Sequence, residues 1–408
     1  MSELHFEPTR TAGLEALSAF LPHAGAEYAK MRNYDLPEQS HPHVSCLSPY
    51  IRHRMVTEEE VLQSVLGRHS LRAAEKFVQE VYWRTYWKGW LQMRPGVWSD
   101  YRAALSRYRD RLATEAGLRQ AWEDACLGRT GLAPSDAWAQ ELAQTGYLHN
   151  HARMWFASIW VFTLRLPWEL GADFFMRHLL DGDPASNTLS WRWVAGLQTK
   201  GKTYLARPSN IAKYTRGRFA DMGDLAREAI ALDGPAHPSR SALPTSDDWV
   251  PAPGTGVLLT EDDMSPGWLL EGGDTAVGAA VLHGTKARSP LAVSERVLNF
   301  TEAALKDALS RNASRLGPAG PVTTDPQIIV AWARAQNLSR VLTSFSPVGP
   351  AAQQIRALRP LLEEAGIDLV TRIRPFDAEA WVHATHGFFR FKEHIPRLVG
   401  QLRGLRAA

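Results

Sequence analysis

Residues 145–160 read TGYLHNHARMWFASIW and residues 181–193 read DGDPASNTLSWRW, and these two stretches decide the fold and the chemistry of the chain. Within the first, Asn150, Arg153 and Met154 lie at i, i+3 and i+4 and therefore share one face of a predicted helix. An arginine on an otherwise apolar helix needs a buried partner or a ligand. The acidic turn that opens the second stretch can supply that partner.

A second helix with polar and aromatic side chains on one face is predicted over residues 70–91. Glu80, Trp83, Arg84 and Trp87 follow at i, i+3, i+4 and i+7, so a carboxylate, indoles and a guanidinium share one face. One use of such a face is a pocket in which a flat base stacks on Trp83 while Glu80 hydrogen-bonds its edge. A half-buried salt bridge beside core tryptophans explains the same pattern, and the pattern alone leaves both interpretations open.

The composition is that of a soluble globular protein, with 45% apolar and 22% charged residues. A chain of 408 residues exceeds one ordinary core, so two domains are expected. No membrane span is expected, because no run of 18 apolar residues occurs, and the first twenty residues lack the pattern of a secretory signal. Two cysteines provide neither a disulfide framework nor an iron–sulfur ligand set, so a reducing cytoplasm is the predicted setting. The net charge of +3 is compatible with nucleic acid without being diagnostic.

The pattern of apolar, polar and proline residues changes along the chain. Residues 1–233 read mainly as helices, residues 234–255 form a proline-rich linker, and residues 256–408 alternate short apolar runs with helical patterns. Strands alternating with helices predict a parallel, doubly wound sheet. The predicted strands are residues 256–260, 276–283, 321–324, 340–346 and 367–373, and the predicted helices between them are residues 293–310, 326–336 and 351–365.

No metal site is expected. The turn at Asp181 and Asp183 offers too few hard ligands and lacks the calcium-loop spacing. His149 and His151 are two residues apart and diverge on a helix, which disfavours a zinc pair.

Several motifs, in their order and spacing, resemble the signature of DNA photolyases and cryptochromes. They are YAKMRNYD from Tyr28, VSCLSPY from Val44, QEVYWR from Gln79, TGYLHNHARM, PWELG, and DGDPASN with the following WRW. The resemblance spans nearly the whole helical half. It implies an N-terminal all-α photolyase-like FAD-binding domain followed by a C-terminal α/β domain with a parallel, Rossmann-like sheet. Typical members of this family carry the α/β antenna domain first, so the resemblance also implies a swapped domain order.

The resemblance implies FAD as the cofactor. It assigns the cofactor to these side chains: Tyr28, Ser45, Leu47, Ser48, Phe77, Arg153, Asp181, Asp183 and Asn187. Arg153 and Asp181 would form a buried ion pair beside the flavin ring, and Asn187 would face its reactive nitrogen. The α/β half shows no phosphate-binding glycine fingerprint, so an antenna chromophore is left unassigned.

The resemblance also implies a cavity for a flipped-out cyclobutane pyrimidine dimer. Its catalytic residues would be Glu80, Trp83, Asn150, Met154 and Asn187, and its DNA contacts Trp83, Arg84, Asn150 and His151. Photolyases for the (6-4) lesion carry histidines where this chain has Asn150 and Met154, so the resemblance favours cyclobutane dimers.

Trp191 and Trp168 match the inner and middle members of the family's electron-transfer chain. The outer tryptophan has no clear counterpart, and Tyr101 and Tyr108 stand near its expected place. The function implied is light-driven repair of cyclobutane dimers in ultraviolet-damaged DNA by electron transfer from reduced FAD. The alternative is a cryptochrome-like blue-light photoreceptor without repair activity. We expect the protein to act as a monomer without a membrane partner.

Overall fold

The first half of the chain is helical. The computed structural model describes residues 4–219, 221–270 and 275–402. The helices of this half are α1 Arg10–Phe20, α2 Ala26–Met31, α3 Ser48–Arg52, α4 Glu58–Leu66, α5 Leu71–Gln92, α6 Gly96–Thr114, α7 Ala116–Leu127, α8 Ala133–Thr145, α9 Asn150–Ser158, α10 Trp168–His178, α11 Pro184–Val194 and α12 Pro208–Tyr214.

Local sequence sets the ends of the chemically important helices. Ser70 caps α5 by accepting a hydrogen bond from the amide of Ala73, which confirms the predicted helix to within one residue at each end. The helix predicted to carry Asn150, Arg153 and Met154 is α9, which ends as an α-helix at Ser158. It continues from α9 through a π-helical turn, Ile159–Thr163, and stops before Pro167. Proline disfavours the helical conformation in the residue that precedes it, so the chain cannot stay helical there.

The second half forms a five-stranded parallel sheet in the order β3-β2-β1-β4-β5, which confirms the predicted sheet. Its strands are β1 Thr255–Leu259, β2 Ala279–Leu282, β3 Ala319–Thr323, β4 Arg340–Ser344 and β5 Asp368–Arg372. Its helices are α13 Glu295–Arg311, α14 Ala313–Leu316, α15 Pro326–Ala335, α16 Pro350–Glu364, α17 Pro375–Trp381, α18 Phe388–Phe391 and α19 Ile395–Gly400.

The sheet lies between two cores. One face, with α15 and α16, buries a separate apolar cluster that includes Leu258, Ile329 and Leu358. The other face joins a large cluster that continues into the helical half. Between α12 and β1 no helix or strand is assigned among the described residues. This connection runs along the surface of both halves, because Ser241 bonds the carbonyl of Met93 and Asp247 bonds Thr371.

Helix α5 is covered from two sides, by the helical half and by α17 of the α/β half. Gly89 permits the close approach of α17, since a Cβ there would lie 2.7 Å from the indole of Trp381. The face of α5 that carries Val78 and Tyr82 is buried, as its sequence predicts, and Lys88 on another face is buried as well. Among the described residues, no helix is long and apolar enough to span a membrane.

Buried charges join the two halves of the chain. The Arg54 guanidinium donates to both carboxylate oxygens of Asp377, at 2.7 and 2.6 Å, and to Glu58 at 3.0 Å. Arg52 pairs with Asp262 at 2.6 Å. These side chains are nearly inaccessible to solvent, so each charge depends on its partner.

Glu261, just after β1, gives this boundary a pH dependence. Its carboxylate accepts from the amide of Gly284 at 2.9 and 3.1 Å, and burial, with the nearby charge of Asp262, raises its pKa to about 7. Because the folded state holds the proton more tightly than the unfolded chain, the stability from this group is complete below about pH 4.5 and is lost as the pH rises through 7. We expect Glu261→Gln to flatten the decline of the unfolding free energy between pH 4.5 and 7. Urea titrations at several pH values measure it, and an unchanged slope would contradict it.

Candidate functional site

The core of the site is an ion pair that links α9 to the turn before α11. Arg153 donates from its terminal nitrogen to Asp181 at 2.9 Å and from Nε to the carbonyl of Leu148 at 2.7 Å. Burial alone would raise the pKa of Asp181, but the Arg153 charge outweighs it, and the pKa is lowered. Within the part of the chain that the structure describes, the second oxygen of Asp181 is buried without a hydrogen-bond partner. The predicted Arg153–Asp181 pair is therefore present, with one acceptor left unmatched.

Asp183 has a different role from Asp181. It caps α11 by accepting from the amide of Ser186 at 2.8 Å. Its other oxygen lies 3.7–3.8 Å from Arg52, Arg84 and Lys88. Burial opposes ionisation here, yet these cations hold the pKa of Asp183 well below its usual range. Both carboxylate oxygens of Asp183 thus interact with groups of the protein. The structure therefore favours a role for Asp183 in balancing three cations over the cofactor contact predicted for it.

Arg84 is one of the three cations beside Asp183. Its guanidinium lies inside the helical half beside Asp183, and its side chain is only 13% exposed. A phosphate contact needs an accessible cation, so this placement does not support the DNA contact predicted for Arg84.

Asn187, on α11, points its amide in a defined direction. The NH₂ group donates to the carbonyl of Ala172 at 2.8 Å. The amide oxygen therefore faces the opposite way and is free to accept from another group. This is the orientation that a neutral acceptor for a ring N–H requires.

The remaining predicted cofactor residues lie on the loop before α3 and on the α2–α5 pair. Leu47 is fully buried, whereas Ser45 and Ser48 remain partly accessible. Tyr28 and Phe77 are buried against each other, with ring centroids 5.2 Å apart.

The side chains predicted to face a DNA lesion are more accessible than the cofactor set. Asn150 is exposed, and Glu80, Trp83 and Met154 are half-buried. Glu80 forms an ion pair with Arg32 through one carboxylate oxygen. The other oxygen has no protein partner and can accept a hydrogen bond.

Trp83 makes a contact across the two halves that its local sequence does not predict. Phe388, the first residue of α18, stacks on its indole with ring centroids 3.6 Å apart and planes 12° apart. Tyr86 and Trp87 contact the same indole from within α5. No local sequence pattern predicts this stack, because its two residues are 305 positions apart in the chain.

His151 is turned toward the protein. Its ring stacks on Trp155 at 4.2 Å, and its two nitrogens face the carbonyl of Asn33 and the hydroxyl of Tyr204. A contact with DNA would have to displace one of these partners.

The two tryptophans predicted for electron transfer are buried in the helical half. Trp191 packs on α10 at Gly171, where a Cβ would lie 2.3 Å from its ring, and Trp168 begins that same helix. The ring of Tyr101 lies 5.6 Å from that of Trp168, and Trp98 lies 5.3 Å further on. Buried oxidisable rings therefore continue beyond Trp168, although no third tryptophan follows in the predicted position.

Two cavities lie next to Trp168 and His151. The larger, about 880 Å³, is lined by Trp168, Tyr108 and residues 226–233. The other, about 600 Å³, is lined by residues that include His151 and Tyr204.

Among the described residues one group of three side chains has the composition of a metal site, namely Asp35, His41 and Glu141. The imidazole of His41 lies between the two carboxylates, with one nitrogen 3.7 Å from Asp35 and the other 3.3 Å from Glu141. Asp35 also accepts from the Arg218 cation at 3.0 Å. A histidine between two carboxylates, beside an arginine, is explained as an ion-pair cluster.

Known proteins match the helical part of the chain. Residues 77–224 match the family model described as the FAD binding domain of DNA photolyase. The deoxyribodipyrimidine photo-lyase of Streptomyces griseus is 34% identical over 199 residues, covering 46% of this chain and 41% of that protein. The corresponding protein of Escherichia coli K12 is 28% identical over 206 residues, covering 49% and 42%.

Two solved structures are also similar to part of this chain. A bacterial class III photolyase from Agrobacterium tumefaciens is 28% identical with a TM-score of 0.42, covering 50% of this chain and 42% of that one. A Synechocystis cryptochrome is 22% identical with a TM-score of 0.43, covering 52% and 44%. The chain thus spans about two fifths of the length of the relatives that it matches.

The site and the family match together define a flavin-binding protein. The resemblance to the photolyase and cryptochrome family is confirmed for the helical half, and its cofactor is FAD. The unmatched acceptors on Asp181 and Asn187 fit a flavin, whose ring offers N–H donors.

Proposed function

We propose that this protein repairs cyclobutane pyrimidine dimers in ultraviolet-damaged DNA in a light-driven reaction. The observation that carries the proposal is a group of accessible side chains beside a less accessible polar set. The accessible group is Glu80, Trp83, Asn150 and Met154, and the polar set is the half-buried Arg153 with the buried Asp181 and Asn187. Reduced FAD, when bound, absorbs light and supplies the electron that splits the cyclobutane ring.

The residues of the chain then have distinct tasks. Trp83 offers the free face of its indole to the flipped-out bases, and the unpaired oxygen of Glu80 accepts from a base edge. Asn150 and Met154 line the same cavity. Arg153 and Asp181 hold the cofactor in register with that cavity, and the Asn187 oxygen accepts from it.

Two further points belong to the same proposal. Trp191 and Trp168 relay electrons between the site and the surface, and Tyr101 is the next ring in contact with Trp168. The boundaries are a catalytic domain over residues 1–233, a linker over 234–255 and an antenna-like domain over 256–408. That order is the reverse of the order typical of the family.

A photoreceptor without repair activity is the second candidate. Phe388 already covers one face of Trp83, which reduces the indole surface open to a base. A light sensor needs no such surface. The cytoplasmic location and the monomeric state remain predictions under either candidate.

The deciding experiment has two stages. The purified protein should show flavin absorption, and its absence would exclude both candidates. The reduced protein should then remove dimers from ultraviolet-irradiated oligothymidylate in blue light and not in the dark. Flavin without light-dependent loss of dimers would leave the photoreceptor.

Trp83→Ala tests the placement of the lesion. Stacking of a base on an aromatic side chain contributes about 1–3 kcal/mol, so affinity for irradiated oligothymidylate should fall roughly 5- to 150-fold. The flavin spectrum should not change. Trp249→Ala, a half-buried tryptophan in the linker, is the matched control and should bind as the unaltered protein does. Loss of flavin in Trp83→Ala would mean that Trp83 belongs to the cofactor site.

A further inference from the structure

The α/β half contributes a short segment to the accessible side of the site. Residues 382–400 hold α18 and α19, and we name them the C-terminal segment. Its start is fixed to α5, because the Tyr86 hydroxyl donates to the carbonyl of His386 at 2.8 Å and Arg94 donates to that of Thr385 at 2.9 Å. The segment therefore has a defined position beside Trp83 and is not a loose tail.

Two consecutive phenylalanines of α18 point in different directions. Phe388 is buried by its stack on Trp83, whereas Phe389 is 76% exposed. Successive residues of a helix point about 100° apart, so this division follows from the backbone. An exposed phenyl ring directly after the ring that covers Trp83 is costly to hydrate and has no partner within the described residues that would bury it.

Cations surround this exposed ring. The Lys392 ammonium lies 5.5 Å from its centroid, and Arg390 next to it is exposed. The C-terminal segment contains three Lys or Arg residues and one acidic residue. The three are Arg390, Lys392 and Arg397, and the acidic residue is Glu393. An aromatic ring among cations is the arrangement that binds single-stranded nucleic acid, because bases stack on the ring while phosphates contact the cations.

We propose that the C-terminal segment is a second DNA-binding surface, on which Phe389 stacks a base next to the lesion and Arg390 and Lys392 contact its phosphates. The inference rests on the proposed function, because it takes damaged DNA as the partner. It extends that function by making the α/β half part of the substrate site. The local strand must be unpaired at this position, since a base within a duplex offers no free face.

The test compares two variants of the full chain, Phe389→Ala and the double variant Arg390→Ala/Lys392→Ala. The probe is a fluorescein-labelled, ultraviolet-irradiated single-stranded oligothymidylate, and anisotropy gives the affinity at several salt concentrations. Phe389→Ala should weaken binding roughly tenfold. The double variant should make the plot of log affinity against log salt shallower by about 1.4, which is two phosphate contacts at about 0.7 each.

Matched controls lie on the opposite side of the sheet. Ile328→Ala removes an exposed apolar side chain from α15, and Arg334→Ala/Arg356→Ala removes two exposed cations from α15 and α16. Both should bind as the unaltered protein does. These positions are exposed except Lys392, which is half-buried, so folding should be preserved, and the flavin spectrum checks it.

The outcomes separate this inference from the proposed function. If the unaltered protein binds the irradiated strand and both α18 variants bind equally well, the inference is wrong and the proposed function stands. If the control variants weaken binding as much as the α18 variants, the effect is general charge or apolar surface, and the inference is also wrong. If the unaltered protein does not bind the strand, the proposed function fails and the inference fails with it.

Discussion

Arg54→Met should lower the free energy of unfolding by about 3–5 kcal/mol, because it leaves buried carboxylates without their cation. Arg54 is nearly inaccessible and bonds both Asp377 and Glu58. Methionine keeps much of the length of the side chain and removes only the charge and its donors. Urea denaturation followed by circular dichroism measures the loss.

The variant should also respond differently to pH. In the folded protein burial raises the pKa of Asp377, while the Arg54 charge outweighs burial at Glu58 and lowers its pKa to about 2. Without Arg54 both pKa values rise, so the folded variant binds protons more tightly than the unfolded chain. Its stability should therefore fall further as the pH increases from 4 to 7.

Arg129→Met is the control for this experiment. Arg129 pairs with Asp124 at 3.1 Å, but its own side chain is 56% exposed and that of Asp124 is 30% exposed. A pair of this kind contributes about 0–1 kcal/mol. A loss of less than about 1 kcal/mol in Arg54→Met would show that the two halves do not depend on the buried charges.

Asp181→Asn should produce protein that retains little flavin. The substitution keeps the shape of the side chain but removes the charge that Arg153 pairs with and one acceptor oxygen. Hydrogen bonds to charged groups contribute about 1.5–3 kcal/mol each, so flavin affinity should fall at least tenfold. The ratio of flavin absorbance to protein absorbance after purification measures the effect.

Asp173→Asn separates a site effect from a stability effect. Asp173 is as buried as Asp181, and it accepts from Arg177 at the same distance of 2.9 Å, on α10. The Asp173→Asn variant should lose stability and still keep its flavin. Equal loss of flavin in both variants would contradict a specific role for Asp181.

The sequence predicts the fold well because its signals are local. Ser70 marks the start of α5, and the five apolar runs of the second half match the five strands within a few residues. The Arg153–Asp181 pair also follows from the sequence, since a buried arginine needs a nearby acid. In each case the deciding residues are close in the chain or must compensate one another.

The site could not be fully predicted, because helical spacing puts Trp83 and Arg84 on one face and cannot show which tertiary contacts each side chain makes. Trp83 stays near the surface beneath Phe388 of the α/β half, whereas Arg84 faces the interior of the helical half beside Asp183. The stack depends on residue 388 of a distant half, and no periodicity carries that information.

The stack of Phe388 on Trp83 also has a consequence for synthesis. The ribosome delivers the chain from its N-terminus, so every residue of the helical half emerges before Asp377 and Phe388 do. During that interval the positive charge of Arg54 lacks one counterion and the indole of Trp83 lacks its cover. The proposed substrate surface is therefore completed only after residue 388 has been synthesised, which gives the nascent protein a period in which its helices are present without that surface.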